Sequence, residues 1–127
     1  MILVTGGAYQ GRSAYVIREY GTPPGDMADG RSCTPEEAMK ARCITAYEEL
    51  VRRLGDDCIR FTEELCRTPQ DRIIILREVG CGIVPVEKSE RIWRENVGRC
   101  GCIIAANSCR VVRIICGMPE VIKGDSE

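Results

Sequence analysis

The 127-residue chain contains no histidine. Without an imidazole it has no Ser-His-Asp or Cys-His catalysis, and the usual zinc patterns fail for the same reason. Aromatic residues make up only 5 % of it, and 18 Lys and Arg stand against 19 Asp and Glu. There is thus no basic stripe with stacking platforms, and nucleic acid is not an expected partner. No apolar run approaches the length of a membrane span. The apolar start Ile2-Leu3-Val4 has no basic region before it and meets Gly6-Gly7 within a few residues, too short for a signal peptide. The expected location is the cytoplasm. Also missing is any C-x-x-C pair, although there are nine cysteines, at 33, 43, 58, 66, 81, 100, 102, 109 and 116. The number is odd and the expected compartment reducing, so they read as thiols. A metal site at Cys100-Gly101-Cys102 with Cys109 and Cys116 is the sharper alternative. Most of these cysteines fall on apolar positions of the expected elements, which favours buried thiols.

What is present is a glycine-rich loop in a telling place. Gly6-Gly7-Ala8-Tyr9-Gln10-Gly11-Arg12-Ser13 fits the spacing of a phosphate-binding P-loop at every position except Arg12, where a lysine belongs. It follows an apolar strand and precedes a helix, the context such a motif needs. Gly6 and Gly11 permit positive φ, so successive amides from Gly6 through Ser13 can point inward at phosphate oxygens. The positive end of the helix adds to the same spot, and the Ser13 hydroxyl can reach a magnesium ion. The bland alternative is a strand-to-helix turn without a ligand. Arg12 keeps the charge, but a planar guanidinium does not replace a compact ammonium, so binding should survive the change better than turnover.

The length predicts one α/β domain spanning residues 1–127, with one site region. A helix from about Arg12 to Tyr20 should stop at Gly21, before Thr22-Pro23-Pro24-Gly25. Thr34-Pro35-Glu36-Glu37 reads as a capping box, and apolar Cys43, Tyr47, Leu50, Val51 and Leu54 at helical spacing extend one long helix to Gly55. A further helix runs from Asp57 to about Arg67, carrying Cys58, Phe61 and Leu65. Arg72 to Leu76 is a β-branched run expected of a central parallel strand covered on both faces. Glu87 to about Ala105 places Trp93, Val97, Cys100 and Ile104 on one helical face. Arg110 to Cys116 is a last long strand, with Val121-Ile122-Lys123 able to pair back. The order β-α-α-α-β-α-β predicts a P-loop nucleotide-binding fold with a small, mainly parallel sheet flanked by helices.

Glu78-Val79-Gly80-Cys81-Gly82-Ile83-Val84-Pro85 follows the Ile-rich strand. Ligands of open α/β sheets gather at the carboxyl ends of the strands, so this loop and the first should share a rim. Glu78 is then a candidate for magnesium or its water shell; a plain surface turn is the alternative.

These two loops, with Gly98-Arg99, Val111-Val112 and Gly117 near the end, resemble the adenosylcobinamide kinase/adenosylcobinamide-phosphate guanylyltransferase family of cobalamin synthesis. The resemblance runs from about Tyr47 to Lys123 almost without gaps, besides the amino-terminal strand and loop. It implies a P-loop fold, ATP or GTP with Mg2+, phosphorylation of the aminopropanol arm of adenosylcobinamide, and guanylyl transfer through a histidine. The chain departs from that pattern at specific points. Its Gly21 to Thr34 stretch is far shorter than the family segment that carries the guanylylated histidine. The family motif of an acid followed by Cys-hydrophobic-Thr survives as Arg42-Cys43-Ile44-Thr45, without the acid. Arg12 replaces the loop lysine, and Arg77 stands where an asparagine usually precedes the Glu-Val-Gly string.

Two function classes follow. One is a reduced kinase acting on a cobinamide-like alcohol, with Arg12 on the phosphates, Ser13 on magnesium and Glu78 near the metal; guanylyl transfer is not expected. The other is a non-catalytic nucleotide-binding or partner module of a corrinoid pathway. Asp26 and Asp29 could supply a base or hold the metal, though loop aspartates more often form turns. The expected partners are nucleotide and a corrinoid, with a homo-oligomer or a pathway protein left open.

Overall fold

A computed structural model describes residues 1–80 and 82–125. Cys81 and the last two residues lie outside the description. The elements in chain order are β1 (Ile2–Gly6), α1 (Arg12–Tyr20), β2 (Met27–Asp29), α2 (Pro35–Lys40), β3 (Cys43–Thr45), α3 (Tyr47–Leu54), α4 (Cys58–Arg67), β4 (Ile73–Arg77), α5 (Lys88–Asn107), β5 (Arg110–Ile115) and β6 (Met118–Lys123). They form one six-stranded sheet of order β2-β3-β4-β1-β5-β6. The first five strands run parallel, and β6 turns back antiparallel to β5.

The sheet sorts side chains by the strand period of two. Leu3, Ile74, Leu76 and Val111 face the helices α3, α4 and α5, where they meet Leu50, Leu65, Val97 and Ile104. Val4, Ile75, Val112 and Ile114 face the other way, onto Tyr15 and Val16 of α1. The Ile-rich run is therefore covered on both faces, as a central parallel strand requires.

One expectation is corrected. The single long helix from the capping box to Gly55 is in fact α2, β3 and α3. The box itself is real, since Thr34 accepts a hydrogen bond from the Glu37 amide at 3.1 Å. But α2 ends after Lys40, and Ala41 turns to extended backbone, φ −74° and ψ 141°. Cys43 and Ile44 then pair with Ile73 and Ile74. The chain turns into α3 through Ala46, which takes the left-handed conformation at φ 52°. The three-residue strand β2 was likewise not anticipated within the Gly21 to Thr34 stretch. The sheet thus holds two more strands than expected, both on the side of β4 away from β1.

The cysteines divide. Cys33, Cys43, Cys58 and Cys100 are buried, while Cys102, Cys109 and Cys116 are exposed. Burial pushes the Cys43 thiol up to about 11 and the Cys100 thiol up to about 12, so both stay protonated at neutral pH. Among the described residues no group of three metal-ligating side chains assembles.

Candidate functional site

The carboxyl ends of β1, β3 and β4 make a rim, and the glycine loop crosses it. Its backbone is fixed from both sides: the Glu78 amide donates to the Gly6 carbonyl at 2.8 Å, and the Gly117 amide donates to the Gln10 carbonyl at 2.9 Å. The Gln10 side chain joins the second anchor by accepting from the Cys116 amide at 2.6 Å. Gln10 therefore braces the loop against the β5–β6 hairpin. Tyr9 has φ 60° and is fully exposed.

Gly11, at φ 88°, caps α1 by its conformation, with no side-chain cap bond. Its carbonyl accepts from the Tyr15 amide at 3.0 Å, so α1 begins without protein acceptors for its first amides. Among the described residues, no backbone N–H from Gly7 to Ser13 has a protein acceptor. These donors, with the positive end of a nine-residue helix behind them, are suited to an anion.

Two clefts flank the loop and share Ala8 and Arg77. One, of about 310 Å³, is lined by Arg12, Ser13, Arg31, Thr45, Glu48 and neighbouring residues. The other, of about 360 Å³, is lined by Gly7, Glu78, Val79, Ile83 and Trp93 among others. Ser13 and Glu78 thus stand on one rim but face adjacent clefts.

Arg12 and Glu78, the charged side chains the sequence set at the phosphates and the metal, both have protein partners. Arg113 Nε and Nη2 donate to the two Glu78 carboxylate oxygens at 2.9 and 3.1 Å. Arg12 lies 4.0 Å from Glu48. Burial pushes the Arg12 guanidinium below its ordinary pKa, with Glu48 opposing and Arg77 adding to the fall. Asp29 closes a turn instead of facing the loop: its carboxylate accepts from the Arg31 amide at 2.9 Å and from Arg31 Nε at 3.1 Å. Those Arg31 bonds hold its pKa below the usual carboxylate range. Asp26, in the exposed turn before β2, lines neither cleft.

Sequence reasoning missed Glu48. It sits in the first turn of α3, directly after β3, and is only 5 % exposed. Its backbone carbonyl accepts from the Trp93 indole at 2.7 Å, while Arg52 stacks 3.8 Å above that ring. Burial raises the Glu48 pKa above the ordinary value, against the pull of its own amide, Arg12 and Arg77. The available signal was Arg42-Cys43-Ile44-Thr45, which marks the strand delivering Glu48 to the rim.

A family model for cobinamide kinase / cobinamide phosphate guanyltransferase matches residues 36–122. The chain belongs to this family. The match takes in β3, β4, the Glu78 loop, α5 and β5, and it starts beyond the Gly6–Ser13 loop. It links the family member to cobinamide biosynthesis, as the two loops led one to expect. No curated protein matches the chain.

Proposed function

We propose that this family member binds ATP or GTP at the Gly6–Ser13 loop and transfers the terminal phosphoryl group to the hydroxyl of a cobinamide-type alcohol. The observation that carries the reading is the row of loop amides without protein acceptors at the start of α1, beside a cleft holding Arg12, Arg31 and Arg77. Phosphoryl transfer asks the protein for positioning and charge stabilisation more than for covalent chemistry. The amides would hold the phosphates, and the three guanidinium groups would offset the charge spreading over the transferred oxygens. The cleft of about 310 Å³ has room for an alcohol-bearing arm.

Magnesium, arriving with the triphosphate, would supply further charge neutralisation. It takes oxygen ligands, mostly phosphate and water, with one or two from protein. Ser13 fits as that donor, since it lines the arginine cleft at the start of α1. Glu78 fits less well, because both its oxygens accept from Arg113. Guanylyl transfer through histidine has no residue in this chain to carry it.

The pairing of Arg12 with Glu48 and of Glu78 with Arg113 favours a second reading, a non-catalytic nucleotide-binding module. Phosphate transfer from labelled ATP or GTP to cobinamide, run beside calorimetric titration with the magnesium nucleotides, separates the two. Transfer supports the kinase; binding without transfer supports the module; no binding rejects both.

A further inference from the structure

We infer that Glu48 is the general base that takes the proton from the acceptor hydroxyl. This rests on the phosphoryl-transfer reading and adds to it a residue and a place for the acceptor, the cleft between α1 and the β3–α3 corner. The Arg42-Cys43-Ile44-Thr45 motif marks the strand before Glu48 but assigns the residue itself no role.

The chain has no histidine, and no lysine or cysteine lines the arginine cleft, so the base is sought among the carboxylates within reach of the loop, and it needs a lone pair free to receive a proton. Asp29 is turned onto Arg31, Glu49 accepts from Arg52, and Glu78 is held at both oxygens by Arg113. Glu48 differs. One oxygen faces Arg12 at 4.0 Å; the other, Oε2, is buried and makes no hydrogen bond of good geometry among the described residues, with the backbone amides of Glu48 and Arg77 also acting on the carboxylate. A buried carboxylate oxygen without a donor is costly, and a donor from a ligand removes that cost. An alcohol O–H entering beside Ser13 and Thr45 is such a donor.

The surroundings suit the task. Arg12 faces Glu48 from α1, Arg77 from β4 and Arg31 from the turn after β2, with Glu49 the adjoining acid on α3. Trp93 of α5 fixes the Glu48 backbone. Burial makes the carboxylate more basic than an exposed one, while Arg12, Arg77 and the nearby backbone amides pull the other way and favour its ionised form. In the step, Glu48 Oε2 receives the hydroxyl proton as the alkoxide oxygen forms its bond to the γ-phosphorus. The bond from that phosphorus to the β,γ-bridging oxygen breaks, and its electron pair leaves on the nucleoside diphosphate.

The test compares the native protein with Glu48→Gln and Glu48→Asp. Transfer from ATP or GTP to cobinamide is followed across pH, nucleotide binding is followed by calorimetry, and folding by circular dichroism. Glu48→Gln is expected to lower kcat by about 10²- to 10³-fold, to lose the acid limb of the pH profile, and to bind nucleotide at least as tightly as the native protein. Glu48→Asp should keep the limb at reduced rate, and it carries the test alone if the glutamine variant does not fold. An unchanged kcat and limb in Glu48→Gln overturns the inference while leaving the kinase reading standing. Equal losses of rate and nucleotide affinity also overturn it, and would make Glu48 a mere support for Arg12. A native protein that binds nucleotide without transferring phosphate sinks the kinase reading and the base together.

Discussion

Gly6 and Arg12 separate what the fold needs from what a ligand needs. A Cβ on Gly6 would lie 2.6 Å from the Ile114 carbonyl oxygen, at φ 148°. Backbone of β5 blocks that position, so Gly6 is required by strand packing before any phosphate arrives. Gly6→Ala should cost about 2 kcal/mol or more of stability, measured by urea unfolding. Arg12 is the position at which the proposed ligand role is tested instead. If the amides carry the binding, Arg12→Lys should leave nucleotide affinity within about tenfold, about 1.4 kcal/mol, by calorimetry. A loss of a hundredfold would make the guanidinium itself the anchor. The same change should raise phosphoryl transfer if a compact ammonium follows the moving group better.

At the scale of elements, the side chain that ties most segments together is Arg72, 1 % exposed. Its guanidinium donates to the carbonyls of Met39, Ala41 and Leu65 and to Gln70 Oε1, joining the end of α2, the entry to β3 and the end of α4. Arg72→Met would strand those carbonyls and should cost about 3 kcal/mol, with nucleotide affinity unchanged, since the clamp lies at the opposite end of the strands. The sequence showed Arg72 only as the start of an apolar run. It showed α1 and α5 well: Gly11 and Gly21 bracket the first, and Trp93, Val97, Cys100 and Ile104 give the second one buried face. It hid β3 because no glycine or proline interrupts Lys40 to Leu54. Cys43, Tyr47 and Leu50 keep helical spacing across the break, and the turn at Ala46 uses a residue that rarely takes positive φ. With β3 hidden, Glu48 looked like one more polar position on a long helix. The two loops were legible because glycines at fixed spacing mark them, whereas the pairing of Glu78 with Arg113 joins residues 35 apart in sequence and leaves no local trace.

For the whole molecule, the parallel sheet brings to one rim three segments far apart in the chain: the Gly6–Ser13 loop, the β3–α3 corner and the Glu78 turn. A continuous six-stranded sheet with helices on both faces is the basis for proposing that residues 1–127 fold as one domain. Such a unit should unfold in one transition, with calorimetric and van't Hoff enthalpies equal; two separated transitions would divide it. Among the described residues no helix is long and apolar enough to cross a membrane. The family match places the chain in cobinamide biosynthesis, and the loop that would bring the nucleotide lies outside the matched residues. That loop is where the account is most exposed. The most direct test follows backbone amide resonances while magnesium ATP or magnesium GTP is added. The account predicts that the Gly7 to Ser13 amides shift most, and that they saturate together with the calorimetric isotherm. Shifts confined to other segments, with the loop amides unmoved at saturating nucleotide, would contradict it.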